Sequence, residues 1–171
     1  ELRTMFNDGP ASFSRNGDTV YFSRNIRTDV NRDDASPRNK LGIFTSVLED
    51  GTWGKILDFR FNNEYYNITT PFISPDGKRL FFAADNPEGM GGTDIYYCDW
   101  KGDYWDDPVN MGPEVNTKGN ESYPTVNSEG GVFFSSDGHP GLGGKDIFYT
   151  RQADDGKWLP PVHLNAPVTS K

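Results

Sequence analysis

The sequence is poor in features on which several common classes of protein depend. It has one cysteine, Cys98, so no disulfide can form within the chain. The cysteine content therefore does not indicate whether the protein works in an oxidising or a reducing compartment. No run of apolar residues reaches the length of about 18 that a membrane-spanning helix needs. No run of Lys or Arg occurs either, and the net charge is −8 at pH 7. We therefore predict that the chain neither spans a membrane nor binds nucleic acid, whose phosphates require a basic surface.

Groups that usually carry chemistry are also scarce. His139 and His163 are the two histidines, and they lie in different sequence contexts. Neither a zinc site nor a Ser-His-Asp or Cys-His constellation is indicated, because each needs several such groups within reach of one another. Cys98 falls in a strand-like segment, which favours a buried, unreactive thiol. From the sequence we expect no cofactor and no enzymatic activity.

Glycine, proline and aromatic residues are abundant instead. The 171 residues include 19 Gly and 12 Pro, and 14% of them are aromatic, whereas only 34% are hydrophobic. This composition favours many short strands joined by tight turns over helices or disorder, and it predicts an all-β domain. Because the chain begins at Glu1 and stops without a terminal helix or charged tail, we expect it to be an excerpt of a longer polypeptide.

One long loop occurs twice, at an interval of 52 residues. The segments "FAADNPEGMGGTDIYYC" (82–98) and "FSSDGHPGLGGKDIFYT" (134–150) share Phe, Asp, three Gly, Asp, Ile and Tyr at the same offsets. A hairpin pattern precedes each of them. In "SPDGK" we expect Asp76 to accept hydrogen bonds from turn amides and Gly77 to adopt a positive φ. A pattern repeated at a fixed interval indicates a structural repeat. Three segments share the hairpin pattern: "ASFSRNGDTVYFS" from Ala11, "PFISPDGKRLFFA" from Pro71 and "PTVNSEGGVFFS" from Pro124.

Each hairpin is followed by a third strand, a glycine turn, a tryptophan and a short fourth strand. Four antiparallel strands in about 50 residues, repeated, are typical of β-propeller blades. An aromatic doublet in each second strand places one ring on each blade face, because successive strand residues point to opposite sides. The doublets are Tyr21-Phe22, Phe81-Phe82 and Phe133-Phe134, and the tryptophans, spaced by 52 and 53 residues, are Trp53, Trp105 and Trp158.

We predict three four-stranded antiparallel blades within residues 1–171, at about 9–60, about 68–113 and about 121–168. Propellers usually have about four to eight blades, so we expect this chain to form a partial ring, half of a six-bladed propeller. Blade faces left open at the two ends would be large and apolar. The remaining blades or a second copy of the chain are therefore expected to cover them.

Several of these motifs resemble the TolB-like, WD-repeat-like β-propeller of OmpA-family envelope proteins, including PorE-like proteins associated with type IX secretion. The motifs are "SPDGKRLFF", "SSDGHPGLGGKDIFY" and "PVNMGPEVNTKGNESYP", and the resemblance extends over almost the entire chain. It implies a periplasmic, outer-membrane-associated protein that also carries tetratricopeptide repeats and a peptidoglycan-binding domain, neither of which is in this sequence. The first blade departs from the pattern, because "NIRTDVNRDDASPRNK" (25–40) replaces the Gly-Gly-x-Asp turn and Gly42 stands where an aspartate is expected.

Each repeated loop carries two aspartates nine residues apart: Asp85 with Asp94, and Asp137 with Asp146. Their oxygens suit a hard cation such as Ca²⁺. However, Asp beside Gly commonly accepts hydrogen bonds from turn amides, and two carboxylates per loop are few for calcium. We predict a structured connector without a metal, and we keep calcium as the weaker hypothesis.

A glycan-binding or glycan-processing propeller is the alternative function. It needs carboxylates or exposed aromatic rings that converge at the ring centre. The carboxylates near the predicted inner strands are Asp76, Glu121 and Glu129. The repeated tryptophans offer a surface for sugar stacking, but their strict register favours packing of the fourth strand against the blade.

We expect a non-catalytic scaffold that mediates protein–protein interaction in the cell envelope, as part of a larger peptidoglycan-associated protein of the OmpA family. Rigid blades hold variable loops in such a fold, and loops commonly carry binding residues. The first-blade loop, 25–40, is the most individual segment. Because Arg is enriched at interface hot spots, we predict that Arg27, Arg32 and Arg38 contact the partner.

Overall fold

The chain folds into three antiparallel β-sheets that follow one another along the sequence. The computed structural model describes residues 8–26 and 40–169, and in these ranges it contains thirteen strands and no helix. Consequently, no helix in the described ranges has the length and apolar character needed to cross a membrane. The predicted all-β fold with four-stranded antiparallel blades is confirmed.

The first sheet consists of β1 (Asp8–Phe13), β2 (Thr19–Asn25), β3 (Leu41–Glu49), β4 (Thr52–Trp53) and β5 (Leu57–Asp58). The second consists of β6 (Ile68–Ile73), β7 (Arg79–Ala84), β8 (Asp94–Asp99) and β9 (Val109–Asn110). The third consists of β10 (Glu121–Val126), β11 (Val132–Ser136), β12 (Asp146–Thr150) and β13 (Val162–His163).

The first sheet has one more strand than the other two, and the extra strand contains the repeated tryptophan. Trp53 lies in β4, a two-residue strand paired with β3. In the other sheets the single bridges Trp100–Trp105 and Gln152–Trp158 take the place of this strand. The equivalent fourth strands of the blades are therefore β5, β9 and β13, each paired with the third strand of its own sheet.

The hairpins close through the turn residues that the sequence predicts. Gly17, Gly77 and Gly130 have φ of 75°, 72° and 80°, in the left-handed region that favours glycine. The Asp76 carboxylate accepts hydrogen bonds from the Lys78 amide at 3.0 Å and from a serine hydroxyl at 2.6 Å. The turns thereby fix the register of β6 with β7, and the expectations for Asp76 and Gly77 are confirmed.

The first strand of each sheet also carries a break in register that nothing in the sequence predicted. At two of the breaks Thr70 and Tyr123 have φ of 49° and 54°, which residues with a Cβ rarely adopt. These strands, β1, β6 and β10, contact one another from sheet to sheet, so they converge toward the axis of the arc. The bulge leaves the Tyr123 side chain 58% exposed there.

The second sheet lies between the other two. Strand β6 packs against β1, β2 and β3, and β10 packs against β6, β7 and β8. Phe82 belongs to the core shared with the first sheet, whereas Phe81 belongs to the core shared with the third. The aromatic doublet therefore serves both faces, as predicted. Among the described strands no contact joins the first sheet to the third, so the three sheets form an open arc.

The repeated tryptophans pack against the preceding blade. The Trp105 ring of the second sheet lies 6.1 Å from the Tyr21 ring of the first. The Trp158 ring of the third sheet lies 6.4 Å from the rings of both Phe81 and Tyr97 in the second. The prediction that each tryptophan packs against its own blade is thus incomplete. Trp105 and Trp158 also pack in the interface with the preceding blade, and the tryptophan recurs along the sequence because this interface recurs.

Candidate functional site

One end of the second and third sheets carries both the loop between the second and third strands and the connection from the preceding sheet. In the second sheet, Ile68 at the start of β6 pairs with Ala84 at the end of β7, which in turn pairs with Asp94 at the start of β8. Loops between second and third strands therefore emerge at the same end as the connections between sheets. We call this end the loop face. Its described segments are the loops 85–93 and 137–145 and the connections 59–67 and 111–120.

The first-blade segment chosen from the sequence begins and ends on the loop face. The Ile26 amide donates a hydrogen bond to the Lys40 carbonyl at 2.8 Å, where β2 ends and β3 begins. Arg27, Arg32 and Arg38 lie outside the described residues. Their role in partner binding stays a prediction.

Asp94 closes the second-sheet loop through its carboxylate. Its Oδ2 accepts a hydrogen bond from the Met90 amide at 2.5 Å, and its Oδ1 accepts one from the Gly91 amide at 3.2 Å. Asp146 accepts bonds from the two equivalent amides in the third sheet, at 2.6 and 3.2 Å. A Cβ on Gly89 would lie 2.5 Å from Asp94 Oδ2, so the loop requires glycine at this position. The loop glycines therefore make room for the carboxylate that holds the loop closed.

The other aspartate of each loop holds the start of a first strand. Asp85 accepts a hydrogen bond from the Asn67 amide, and a second from Asn67 Nδ2 at 2.6 Å. Asp137 accepts the equivalent bonds from Asn120, at 2.7 Å from the amide and 3.0 Å from Nδ2. The Asn120 amide chiefly lowers the pKa of Asp137, against a smaller rise from burial. Each loop is thus tied to the first strand of its own blade.

The four aspartates therefore have separate partners in the loop structure. Within residues 8–26 and 40–169, no group of three or more His, Cys, Asp or Glu side chains is placed to hold a metal ion. The calcium hypothesis has two carboxylates per loop, and each of them already accepts hydrogen bonds from loop amides or from an asparagine.

Two asparagine clamps, one partly buried at Asn62 and one fully buried at Asn116, were missed from the sequence. The side chain of Asn62 accepts from the Ile43 amide and donates to the Ile43 carbonyl, both at 2.8 Å. Asn116 makes the same pair of bonds with Ile95, at 2.8 and 2.9 Å. Each clamp joins a connection on the loop face to the third strand of the preceding sheet. In both connections an Asn directly follows an apolar residue, which was the available signal. The two asparagines were not recognised as equivalent because they stand at different distances along the chain from the isoleucines that they bind.

A cavity of about 410 Å³ opens on the loop face, on the side of the second sheet that packs against the first, and its lining comes from the connection 59–67 and the second blade. Its apolar wall includes Ile68 and Phe82, which are almost fully buried. Tyr66 and Tyr96 supply aromatic surface with hydroxyl groups, and Arg60 supplies a positive charge. The volume falls in the range of ligand sites, and the mixture of apolar wall and a few polar groups is typical of them. Asn62, Asn63 and Asn86 add amide groups to the lining.

The equivalent position between the second and third sheets is filled by a histidine. The His139 ring packs against Phe134 and Phe148, at ring distances of 5.9 and 5.1 Å. Its Nε2 lies 2.8 Å from the Val115 carbonyl, which it can approach only as the donor. The second-sheet loop has Pro87 at this offset. One gap between blades is therefore plugged, and the other is open.

Glu121 takes part in the same filling and does not face a ring centre. It is fully buried, and its carboxylate accepts hydrogen bonds from the Thr117 amide at 2.9 Å, the Thr117 hydroxyl at 2.8 Å and the Ser136 hydroxyl at 2.5 Å. Asp76 and Glu129 lie in hairpin turns at the opposite end of their sheets. The three carboxylates that the glycan hypothesis singled out are not brought together.

Asp146 also lies beside His163, a pairing absent from the sequence analysis. Asp146 Oδ1 is buried and lies 3.6 Å from His163 Nε2, which is 3.2 Å from the Thr169 hydroxyl. Because the carboxylate and the hydroxyl approach the same ring nitrogen, this is not the geometry of a proton relay. Burial raises the pKa of Asp146, but the loop amides and His163 outweigh it and lower the pKa. In the second sheet Asn110 replaces the histidine and donates to Asp94 at 2.9 Å.

Comparison with known proteins identifies the fold. No protein-family model and no curated protein matches the chain. TolB from Acinetobacter baumannii has a similar structure, with a TM-score of 0.52, 15% identity, and coverage of 99% of this chain and 40% of TolB. A puromycin-hydrolysing peptidase of Mycobacterium tuberculosis gives 0.60 and 15%, with 94% of this chain and 22% of the peptidase covered. A prolyl endopeptidase gives 0.55 and 17%, with 95% and 20% covered.

These likenesses correct one expectation. The prediction of no enzymatic activity, made from the scarcity of catalytic groups, is contradicted, because the same fold occurs in a prolyl endopeptidase and a puromycin-hydrolysing peptidase. The chain spans about a fifth of the length of these two peptidases and two fifths of TolB. At 15 to 17% identity the comparisons establish the architecture alone. The chain has a TolB-like β-propeller fold.

Proposed function

We propose that this chain is a propeller module that binds a protein partner through its loop face, and that the partner inserts a side chain into the cavity that opens there. The observation that carries the proposal is the contrast between the two gaps. His139 plugs one of them, while the other keeps a cavity of about 410 Å³. In a repeat protein, a difference at one of two equivalent positions indicates a task that the repeat itself does not require.

The cavity suits an anchor side chain of a partner. Its wall is apolar, and its edge carries Arg60, whose guanidinium lies 4.6 Å from the Phe61 ring and donates to the Trp105 carbonyl at 3.1 Å. These contacts hold the arginine in place before a partner arrives. Tyr65, 84% exposed, lies in the same connection between sheets. Arg and Tyr around a pocket are typical of interface hot spots.

We also propose that the module belongs to a larger envelope protein, periplasmic and associated with the outer membrane, of the OmpA family and linked to type IX secretion. The support is the resemblance of the loop and turn motifs, together with the TolB-like fold. Fractionation of the native organism with an antibody to this chain tests the compartment. Recovery in the cytosolic fraction contradicts the proposal.

A plug variant tests the binding site. Pro87 occupies the offset of His139, so Asn86→Gly with Pro87→His transfers the plugging residues to the second-sheet loop. A photo-crosslinking amino acid at Tyr65 in the native organism should capture one envelope protein. The plug variant should lose that product while its thermal midpoint stays within about 2 °C of the parent.

Two controls make this test specific. Asp154, in an exposed turn at the end of the third sheet opposite the loop face, carries the crosslinker in the first control and should yield no such product. His139→Ala in the third-sheet loop, the second control, should leave capture at Tyr65 intact. An unchanged product in the plug variant, or an equal product from Asp154, contradicts the proposal.

The lining of the cavity also favours a glycan as a second candidate ligand. Tyr66 and Tyr96 offer ring surface, and the asparagine amides offer donors and acceptors for sugar hydroxyls. Cell-wall fragments and oligosaccharides that bind here should raise the thermal midpoint of the parent chain, and the plug variant should lose the rise. No shift with any fragment of the panel excludes this candidate.

A further inference from the structure

We infer that the outward face of the third sheet is a docking surface for a further four-stranded blade of this repeat. The face consists of Phe133, Ile147 and Tyr149, with Val162, which pairs with Tyr149, beside them. The Phe133 and Tyr149 rings are tilted against each other with centroids 4.9 Å apart, and all four side chains are partly or largely exposed. We call these residues the third-sheet face.

The counterparts of the third-sheet face are covered wherever a next blade is present. In the second sheet, Phe81 is 2% exposed and Ile95 is fully buried, under residues of the third sheet. In the first sheet, Ile43 is fully buried in the core shared with the second. These residues stand at intervals of 52 from Phe133 and Ile147. The same surface is therefore covered twice in the chain and left open once.

The backbone of the third-sheet loop matches this docking surface. In the second sheet, the Gly92 amide donates to the Gly119 carbonyl at 2.8 Å, and the Thr93 carbonyl accepts from the Glu121 amide at 2.7 Å. These bonds join the loop to the first strand of the next blade. The counterparts are Gly144 and Lys145, whose backbone amide and carbonyl have no hydrogen-bond partner among the described residues.

The space around this loop is open in the same way. A Cβ on Gly91 would lie 2.3 Å from the Thr117 carbonyl oxygen, because the connection to the third sheet passes over it. A Cβ on Gly143, the counterpart, would meet nothing within 4 Å. A docked blade would thus position the connection that leads into it over Gly143 and add two backbone hydrogen bonds to the loop.

A second copy of the chain fits this surface less well than a further blade. The matching surface of a second copy would be the outward side of its first sheet, where Val20, Phe22 and Phe44 are already 2%, 5% and 7% exposed. Two copies of the third-sheet face would lack the tryptophan that each blade places on the preceding one. The interface that occurs twice within the chain needs both an open apolar side and that tryptophan.

A chain extended by one blade tests the inference. The Leu164 amide donates to the Ile147 carbonyl at 2.9 Å, as the Met111 amide does to Ile95 at 3.0 Å, so residues 164–171 align with 111–118. A second copy of residues 119–171 appended after the last residue continues the repeat in register. The extended chain should unfold in one transition, with a midpoint higher than that of the parent by at least about 5 °C.

Ile147→Asp provides the matched control, made in both the parent and the extended chain. The charge should abolish the rise of the thermal midpoint in the extended chain. The parent and the extended chain that both carry Ile147→Asp should therefore melt at nearly the same temperature. A separate transition for the appended blade, an appended blade that stays unfolded, or a gain that survives Ile147→Asp overturns the inference. Dimerisation of the parent that is lost in Ile147→Asp, measured by light scattering, also overturns it, because a second copy would then be the occupant.

Discussion

Asp137 and Asp146 each receive several hydrogen bonds from loop amides and neighbouring side chains, and these bonds favour the charged form of the carboxyl group. The pKa of each lies below the ordinary value of 3.8, although burial of Asp146 acts in the opposite direction. The charge on these two residues is therefore part of what holds the loops closed. Both residues therefore have a structural role, and their lowered pKa values predict how the stability of the fold changes in acid.

Acid should unfold the protein partly through these two carboxyl groups. A carboxyl group with a lowered pKa in the folded state contributes stability above the ordinary pKa of 3.8, and that contribution is lost as pH falls through the lowered value. The thermal midpoint should therefore fall steeply below pH 3.8. Asp146→Asn should be less stable than the parent at pH 7, and the two melting curves should converge at low pH. Parallel curves contradict this, and Asp154→Asn, in an exposed turn, is the control.

Cys98 should be protected from thiol reagents in the folded protein. Burial is the main cause that raises the pKa of its thiol to about 12, and Asp99 adds to it. The side chain is fully buried in the core between the first and second sheets. Reaction with an aromatic disulfide reagent at pH 8 should be at least about 100-fold slower in buffer than in concentrated urea. Equal rates in the two solutions contradict the buried state, and Cys98→Ala supplies the blank.

At the scale of elements, each long loop works as a clamp with two ends. Asp94 accepts hydrogen bonds from amides within the loop, and Asp85 accepts hydrogen bonds from the asparagine that precedes the first strand of its blade. Asn116 adds a clamp from the following connection to the backbone of Ile95. The loop is thus rigid because side chains hold its backbone at three places, and its glycines admit these side chains.

Gly89→Ala should destabilise the fold by about 1–3 kcal/mol, since the new methyl group would overlap the Asp94 carboxylate and the Asn86 carbonyl. Met90→Ala is the matched control. It keeps the amide that bonds Asp94 and removes a side chain that is 42% exposed, so its effect should be within about 0.5 kcal/mol. Urea unfolding of both variants measures the difference. A Gly89→Ala variant as stable as the control shows that the loop can rearrange around the methyl group.

The hairpins, the order of strands and the two-sided aromatic doublets were predictable because each depends on residues close in sequence or repeated at a fixed interval. Gly77 and Phe82 are examples. The asparagine clamps were not, because Asn62 and Asn116 stand at different distances from their partners. Glu121 was not, because its counterpart in the second sheet is isoleucine, so the repeat carried no signal for it.

The cavity was beyond prediction for a further reason. It exists because a histidine at one offset fills a space that a proline at the equivalent offset leaves open, and only the arrangement of two neighbouring sheets reveals that space. The partner of each tryptophan was missed in the same way. Trp105 contacts Tyr21, about 84 residues earlier in the chain, and no local pattern links the two.

For the whole molecule, the interfaces between sheets carry the stability that single blades lack. A four-stranded blade buries its two faces only against its neighbours. The second sheet shares one core with the first and another with the third, and the Thr70 amide donates to the Ser23 hydroxyl across the first interface at 3.1 Å. We therefore expect the three sheets to unfold together.

Trp158→Ala should loosen the interface between the second and third sheets, because the indole packs against both Phe81 and Tyr97. The expected loss of stability is about 2–4 kcal/mol, below that of a fully buried tryptophan, since this side chain is only partly buried. Tyr65→Ala, at a side chain that is 84% exposed, is the control. Calorimetry should show a lower single transition for Trp158→Ala. An unchanged midpoint contradicts a role of the tryptophan between blades.

Side chains from the next blade complete each blade. A gene segment that encodes one sheet is therefore not a unit that could be exchanged between propellers. A graft of residues 68–110 alone would leave behind Asn116, which clamps Ile95, and Trp158, which covers Phe81. Recombination that preserves these partnerships has to cut beyond the tryptophan of the following blade. Duplication by single sheets would yield copies that fit their neighbours on one flank only.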